Sequence, residues 1–252
     1  MDHDQRRARS FAHVADAYQA ARPSYPEAAI DWVLAGAPGP RALDLAAGTG
    51  KLTESLVRRG LTVTAVEPLD PMRAHLEAAL PQVTSLAGTA ERIPLRDGSV
   101  DAVVVGQAFH WFDQPVALGE IARVLAAGGV VGLLWNMRDD GMPWVRAFSR
   151  ATRGAGDTAS SGTDLEIRSL AADARFDRFQ RTEFAHAEWF DRERLVAFAV
   201  STSGVASLPA GERAEVLEAV RRLPDEQPDI RGLDRFELPY RTDAARAVRA
   251  GR

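Results

Sequence analysis

The 252-residue sequence contains no cysteine. This absence excludes a disulfide framework, a metal site built from thiolates and a cysteine nucleophile. Lysine is also scarce, because Lys51 is the only lysine among 31 basic residues. We interpret the preference for arginine as the codon composition of a GC-rich bacterium rather than as a functional feature.

Long apolar runs and a strong excess of one charge are missing as well. No uninterrupted apolar run approaches the roughly 20 residues that a membrane-spanning helix needs. The first seven residues, which contain no apolar segment, give no reason to expect a secretory signal. The formal net charge of -4 argues against a dedicated nucleic-acid-binding protein. We therefore expect a cytoplasmic protein that binds neither membranes nor nucleic acid.

The order of apolar segments predicts an α/β protein. Between residues 41 and 137, short apolar segments alternate with amphipathic helical segments. This alternation is typical of a doubly wound, mostly parallel sheet. Residues 1–40 are predicted to form a helical cap, and residues 138–252 to form substrate-side insertions and the last strands, including an edge strand that begins at Phe236. The length favours one domain over residues 1–252.

A turn of small residues follows the first predicted strand. Residues 41–53 have the pattern of a buried strand, a turn that contains Gly48 and Gly50, and the start of a helix. Glycine lets the backbone pass close to a ligand, because no Cβ intervenes and φ can be positive. The next predicted strand ends at Glu67, whose carboxylate can accept hydrogen bonds from two ribose hydroxyls. Together these segments predict the first half of a nucleotide-binding unit.

The spacing around this turn distinguishes three kinds of nucleotide site. A P-loop requires Gly-Lys-Ser/Thr, but Leu52 follows Lys51, and Leu45 occupies the position of the first glycine. A dinucleotide fingerprint requires a third small residue where Thr53 stands, which weakens an NAD(P) site without excluding it. The third kind has an acidic residue before the turn, and Asp44 supplies it. A carboxylate there suits a ligand that has a cationic amino-acid end and no pyrophosphate.

The pattern Asp-x-Ala-x-Gly-x-Gly that begins at Asp44, followed by Glu67, resembles motif I of class I S-adenosyl-L-methionine (SAM) methyltransferases. The resemblance extends to the Phe-His-Trp-Phe segment at residues 109–112 and to the Ala-Arg-Pro-x-Tyr-Pro segment at residues 21–26. Together these segments resemble the methyltransferase-domain-11 group, and within it the trans-aconitate methyltransferase-like enzymes, over residues 8–137. The sequence departs from the group at Ala127, where proline is common.

This resemblance implies a Rossmann-like, mostly parallel sheet of seven strands with an antiparallel edge strand. It also implies SAM as the methyl donor, S-adenosyl-L-homocysteine as the product, and a monomer or homodimer that acts on a small molecule. The cofactor-binding residues that it implies are Tyr18, Arg22, Asp44, Ala46, Gly48, Gly50, Glu67, Pro68, Met72, Thr89, Ala90, Glu91, Gln107, Ala108 and Phe109.

The loop after the fourth predicted strand is rich in rings, with Phe109, His110, Trp111 and Phe112 in succession. Loops usually favour small polar residues, and this loop leaves the strand edge where open α/β sheets bind ligands. Histidine titrates near neutral pH, so His110 is a candidate general base, with a structural histidine as the alternative. Core packing is the alternative for both phenylalanines. The predicted substrate-binding residues, which allow an apolar or a carboxylate-bearing acceptor, are Phe11, Trp111, Trp135, Arg138 and Trp144.

The sequence contains no strong paired-carboxylate, Ser-His-Asp or metal-binding pattern, so we expect no metal. Two other functions stay open beside methyl transfer. One is an NAD(P)-dependent oxidoreductase, which Thr53 disfavours, and the other is a SAM-binding protein without methyltransferase activity, which the ring-rich loop disfavours. The acceptor and the choice between O-, N- and C-methylation do not follow from the sequence.

Overall fold

The structure, a computed structural model, describes residues 22–152 and 162–251. Strands and helices alternate along the first part of these ranges. The strands are β1 (Arg41–Leu45), β2 (Thr62–Val66), β3 (Thr84–Leu86), β4 (Val100–Gly106), β5 (Leu125–Arg138), β6 (Phe176–Phe190) and β7 (Phe236–Arg249). The helices are α1 (Glu27–Leu34), α2 (Lys51–Arg58), α3 (Asp70–Ala79), a 3-10 helix at Phe109–Trp111, α4 (Gln114–Val124), α5 (Pro143–Thr152), α6 (Gly162–Ala172), α7 (Arg192–Ser201), α8 (Ser203–Ala206) and α9 (Ala210–Glu226).

Local sequence explains where several helices begin. Pro71 lies in the first turn of α3, where its missing N–H costs no intrahelical hydrogen bond. The carboxylate of Asp113 accepts a hydrogen bond from the backbone N–H of Val116 and caps α4. The carboxylate of Asp191 accepts one from the backbone N–H of Arg194 and caps α7 in the same way. Of the described helices, none is both long enough and apolar enough to cross a membrane.

The described strands form one sheet of seven, in the order β3-β2-β1-β4-β5-β7-β6. The pairs β1–β2, β1–β4, β2–β3 and β4–β5 are parallel. The strand order reverses between β1 and β4, so the carboxyl ends of these two strands mark the point where doubly wound sheets bind ligands. The predicted fold class, a mostly parallel sheet of seven strands with an antiparallel edge, is confirmed.

Two details differ from the sequence-based expectation. The strand that begins at Phe236 lies between β5 and β6, so β6 rather than β7 forms that edge. The expectation depended on Pro239, which donates no ladder hydrogen bond; in the structure its carbonyl accepts one from the N–H of Asp139 at 2.9 Å. In addition, β5 begins at Leu125 rather than at Val130, because a register shift against β4 accommodates the intervening residues.

One compact unit, which we call the β1 unit, contains the described residues 24–136, 162–184 and 242–251. Its core is built by α1 and α2 against the sheet. Helix α2 buries Leu52 and Leu56, which are four residues apart and therefore share one helix face. Helix α1 buries Ile30 and Val33 in the same cluster, which also includes Val104 of β4. Each such side chain stabilises the fold by about 1.5–3 kcal/mol through burial.

The second compact unit, which we call the α7 unit, contains the described residues 22–23, 137–152 and 185–241. Its core is aromatic, and Trp144 of α5 lies edge-on to Phe236 with ring centroids 5.2 Å apart. Phe198 of α7 packs against Phe148 and Phe190, each with a centroid distance of 5.7 Å. These aromatic contacts hold α5 and α7 around the first half of β7.

Gly132 of β5 is a position where the packing of the β1 unit admits no side chain. A Cβ there would lie 2.6 Å from the Cβ of Val33 in α1. We expect Gly132→Ala to lower the free energy of unfolding by about 1–3 kcal/mol, because helix and strand must separate. Gly211→Ala in α9 is the control, since no atom lies within 4 Å of its added Cβ. Urea denaturation of both variants checks the prediction, and equal stability of the two would contradict it.

Candidate functional site

The turn between β1 and α2 has a strained and open backbone. Ala46, Gly48 and Gly50 have φ values of 59°, 57° and 90°. Alanine rarely adopts this region, so Ala46 stores strain on the order of 1–3 kcal/mol. No atom lies within 4 Å of the position that a Cβ would take at Gly48, whereas a Cβ at Gly50 would lie 3.0 Å from Leu76. Gly50 therefore faces the core, and Gly48 leaves room for a ligand to approach the backbone.

Glu67, at the end of β2, fixes this turn from the neighbouring strand. Its Oε2 accepts a hydrogen bond from the N–H of Gly48 at 2.8 Å, and its Oε1 accepts one from the N–H of Leu69 at 2.9 Å. Burial raises the pKa of the Glu67 carboxyl, while these two hydrogen bonds and the charge of Arg73 act in the opposite direction. Each carboxylate oxygen has a second lone pair, so Glu67 can accept two further hydroxyl hydrogen bonds.

Asp44, in β1, is only 1% exposed. The hydroxyl of Thr53 in α2 donates a hydrogen bond to its Oδ2 at 2.6 Å. Burial raises the pKa of Asp44 to about 7; the hydrogen bond from Thr53 opposes this shift, and the charge of Glu67 adds to it. The carboxyl therefore lies close to its titration midpoint at neutral pH, and a nearby cation would favour the ionised form.

Thr53 is a site residue whose role the sequence did not reveal. The sequence indicated only that a threonine stands where a dinucleotide fingerprint has a third small residue. In the structure this side chain is fully buried, and its hydroxyl orients Asp44. The sequence offered one signal, because Thr53 follows Asp44 by nine residues across a strand, a turn and the start of a helix. This spacing places the first turn of the helix beside the strand.

A hydrogen-bond network that the sequence did not predict connects the ends of β4 and β5. The side chain of Gln107, whose φ is 56°, donates to the carbonyl of Asn136 at 2.8 Å. The Asn136 amide donates to the carbonyl of Ser24 at 3.0 Å and accepts from the hydroxyl of Thr242 at 2.6 Å. The network fixes the segment before α1 at the carboxyl ends of the two strands.

The ring-rich loop divides into buried and exposed side chains. Phe109 is fully buried and lies edge-on to Phe112, with ring centroids 5.6 Å apart. His110 and Trp111 are exposed, and their ring centroids lie 4.6 Å apart. The carboxylate of Glu91 accepts a hydrogen bond from the N–H of Asp113 at 3.0 Å and so connects the loop after β3 to this one. Phe109 is therefore buried in the packing of this loop, while the side chains of His110 and Trp111 are exposed.

The structure brings part of the predicted site together. Asp44, Gly48 and Glu67 meet around one turn, and Gln107 lies at the neighbouring strand end. Ala90, Ala108 and Met72 are buried, whereas Pro68 and Thr89 are exposed. The guanidinium of Arg22 donates to the carbonyl of Ser201 at 2.8 Å within the α7 unit. Phe11 and Tyr18 lie outside the described residues.

The predicted substrate-binding residues are found in both compact units. Trp135 is 3% exposed in the β1 unit, and its ring N–H has no hydrogen-bond partner among the described residues. Trp144 is 1% exposed within the aromatic core of the α7 unit. Arg138, also in the α7 unit, donates to the hydroxyl of Thr152 at 3.0 Å. Trp111 is 36% exposed at the loop after β4.

A cavity of about 760 Å³ lies elsewhere in the β1 unit, beside the first residues of β5 and β6. Its Arg246 donates to the carbonyls of Trp32 and Ala35 and to Gln180, and its Arg249 donates to a backbone carbonyl. These arginines serve the fold, so the cavity is a weaker candidate than the glycine turn. Within residues 22–152 and 162–251, no group of three or more metal-ligating side chains is arranged to hold an ion.

Comparison with known proteins gives independent findings. Residues 43–133 match the methyltransferase domain family. The chain is 43% identical over 241 residues to an uncharacterized methyltransferase of Mycobacterium tuberculosis, with 96% of each chain covered. It is 33% identical over 235 residues to an uncharacterized methyltransferase-like protein of Schizosaccharomyces pombe, with 92% of this chain and 91% of that protein covered.

The fold is also found among solved structures. A protein from Anaeromyxobacter dehalogenans that is described as a type II methyltransferase matches with a TM-score of 0.62. The match covers 92% of this chain and 97% of that chain at 24% sequence identity. At this identity the similarity shows a shared fold and nothing about substrates.

The raised pKa of Asp44 predicts how stability depends on pH. The pKa of an aspartate in an unfolded chain is about 3.9, whereas burial raises the pKa of Asp44 in the folded protein to about 7. Its contribution to stability is therefore fully present below about pH 4 and is lost as the pH rises through about 7. The side chain of Asp44→Asn cannot ionise. As the pH rises from about 4 to about 7, the free energy of unfolding of this variant should therefore increase by up to about 4 kcal/mol relative to that of the parent.

Urea denaturation across this pH range measures the difference between the two proteins. Thr53→Val removes the hydrogen bond that favours the ionised carboxylate, so the loss of stability should move to higher pH. Thr53→Ser keeps the hydroxyl and should retain the parent profile. Parallel pH profiles for the parent and Asp44→Asn would contradict the prediction.

Proposed function

Because this chain belongs to the methyltransferase domain family, we propose that it transfers a methyl group from SAM to a small-molecule acceptor. The observation that best supports SAM is the pair of buried carboxylates, Asp44 and Glu67, beside the open backbone at Gly48. SAM has a cationic amine and two ribose hydroxyls, which are groups that carboxylates bind. The pyrophosphate of NAD(P) would instead meet negative charge at this turn.

The main proposed contacts with SAM lie at the ends of β1 and β2 and in the turn after β1. Asp44, Ala46, Gly48 and Gly50 would hold the amino-acid end, and Glu67 would accept the ribose hydroxyls. Further contacts are proposed for residues outside this turn, and the adenine contacts among them lie in the loop after β3. These proposed contacts are Tyr18, Arg22, Pro68, Met72, Thr89, Ala90, Glu91, Gln107, Ala108 and Phe109.

The chemistry leaves positioning as the main task of the protein. SAM supplies a methyl group that is already activated on a sulfonium, so the chain has little covalent work to do. Alignment of donor and acceptor can supply several kcal/mol of the rate acceleration, on the order of 7–11 in favourable cases. The side chain of Gln107, just after β4, donates a hydrogen bond to the carbonyl of Asn136 in β5 and connects the ends of these two strands. The exposed side chain of His110 is the proposed acceptor of a proton from the substrate.

Calorimetry with SAM, S-adenosyl-L-homocysteine, NAD and NADP tests the cofactor assignment. We expect SAM and S-adenosyl-L-homocysteine to bind and the dinucleotides not to bind. Asp44→Asn and Glu67→Gln should each weaken SAM binding by about tenfold or more, because each loses a charge-assisted contact. Glu54→Gln is the control, since this half-exposed carboxylate of α2 pairs with Arg58. Unchanged affinity in both site variants, or binding of NAD alone, would refute the assignment.

Transfer of labelled methyl from SAM into a bacterial metabolite extract tests the reaction itself. We expect labelled small-molecule product with the parent protein. His110→Ala should lower the rate by about 10²-fold or more and leave SAM affinity within about twofold, because a general base acts on the acceptor. Full activity of this variant over the neutral pH range would exclude the base role. SAM binding without any labelled product would favour the alternative of a SAM-binding protein that does not methylate.

A further inference from the structure

The loop between β3 and β4, residues 87–99, contains almost no regular structure of its own. It forms one isolated bridge, between Thr89 and Arg92, and no helix. Such segments are usually the more mobile parts of a protein unless other elements hold them. The loop includes Thr89, Ala90 and Glu91, the proposed adenine contacts, so the contacts that hold it bear on the proposed cofactor site.

Side chains of α4 hold this loop by its backbone. The guanidinium of Arg123, in the last turn of α4, donates hydrogen bonds to the carbonyl of Ile93 at 2.9 Å and to the carbonyl of Leu95 at 2.7 Å. The carboxylate of Glu120 accepts a hydrogen bond from the N–H of Ile93 at 2.9 Å. Both polar backbone groups of Ile93 are therefore bound by α4, and its side chain is buried.

Arg123 and Glu120 also orient each other. The Nε of Arg123 donates to Oε1 of Glu120, and its Nη2 donates to Oε2, both at 2.7 Å. The hydrogen bonds from Arg123 hold the pKa of the Glu120 carboxyl below its usual range, although burial acts in the opposite direction. The carboxylate is therefore ionised at neutral pH, and this two-point contact fixes the plane of the guanidinium. The Nη1 of Arg123 also donates to the carboxylate of Asp97, at 2.8 Å.

The beginning of α4 holds the same loop. The carboxylate of Glu91 accepts a hydrogen bond from the N–H of Asp113 at 3.0 Å, and Asp113 caps α4. The loop is thus attached to both ends of one helix, through Glu91 at the first turn and through Ile93 and Leu95 at the last. Its conformation therefore depends on α4.

We infer that Arg123 is a positioning residue that fixes the loop after β3 in the conformation that receives the adenine of SAM. Arg123 binds the loop backbone just beyond the proposed adenine contacts, so it acts through the loop. A loop that is already ordered loses less conformational freedom when a ligand binds, which strengthens binding. The statement about adenine rests on the proposed function, whereas the attachment of the loop to α4 does not.

Hydrogen exchange of the full chain without ligand, measured by mass spectrometry, tests the attachment of the loop. Arg123→Gln should raise the exchange rate of the amides in residues 88–98 by about tenfold or more, because it removes two charge-assisted hydrogen bonds to the loop backbone. Arg123→Lys keeps the charge, but an ammonium lacks the planar fork that spans two carbonyls and a carboxylate. It should therefore restore only part of the protection.

Arg59→Gln is the matched control. The guanidinium of Arg59, just after α2, donates to the carbonyls of Ser55 and Glu27, each at 3.0 Å, and to the carboxylate of Asp31 at 2.6 Å. It joins α1 to α2 with the same kinds of contact by which Arg123 joins the loop to α4. Its loss should lower stability without raising exchange in residues 88–98. An equal rise in Arg59→Gln and Arg123→Gln, or no rise in Arg123→Gln, would overturn the inference.

The choice of base gives a second readout, which a general loss of stability does not change. In S-inosyl-L-homocysteine, a carbonyl acceptor replaces the 6-amino donor of the adenine in S-adenosyl-L-homocysteine. Calorimetry should show that the parent binds the adenine ligand at least about tenfold more tightly, because the ordered loop presents acceptors to that donor. Arg123→Gln should reduce this preference by about threefold or more, whereas Arg59→Gln should keep it.

The two measurements separate this inference from the proposed function. A parent that binds neither SAM nor S-adenosyl-L-homocysteine would contradict the proposed function, while the exchange rates still uphold or overturn the role of Arg123 in holding the loop. A parent that binds both ligands, together with an Arg123→Gln variant that keeps the full preference for adenine, would contradict only this inference.

Discussion

The hydrogen bond from the backbone of Gly48 to the carboxylate of Glu67 joins the ends of two parallel strands. The turn after β1 contains three residues with positive φ, one of which is alanine, and such a backbone persists only where its surroundings hold it. Glu67 holds it from β2, and Thr53 holds Asp44 from α2. The shape and the charge of the candidate cofactor site therefore depend on a few contacts between neighbouring elements rather than on the loop itself.

Much of the fold was predictable because its signals are local. The alternation of apolar strands and amphipathic helices between residues 41 and 137 predicted the doubly wound sheet, and the structure confirms this class. Helix α1, the first helix of the described residues, begins and ends where the sequence indicated, at Glu27 and Leu34. The motif around Asp44 and Glu67 placed two carboxylates at one turn, and the geometry there brings them together. Their role toward a cofactor stays a prediction.

What the sequence could not show depends on contacts between distant residues. The hydroxyl of Thr242 reaches Asn136 across 106 positions, and no local pattern announces such a pairing. The place of β7 inside the sheet follows from β6 pairing on its outer side, which alternation within β7 cannot reveal. The burial of Tyr240 in β7 likewise requires α5, α7 and β7 to assemble first. The side-chain contacts of the α7 unit were therefore accessible only from the structure.

The protonation of Asp44 has a thermodynamic consequence for any cationic ligand of the turn. A cation beside a carboxyl that titrates near about 7 shifts it toward the ionised form, so binding expels part of a proton into the solvent. By linkage, the observed heat of binding then varies with the ionisation enthalpy of the buffer, and acidification of the surroundings reduces occupancy. The fraction of protein that holds such a ligand at this turn therefore depends on the pH as well as on the ligand concentration.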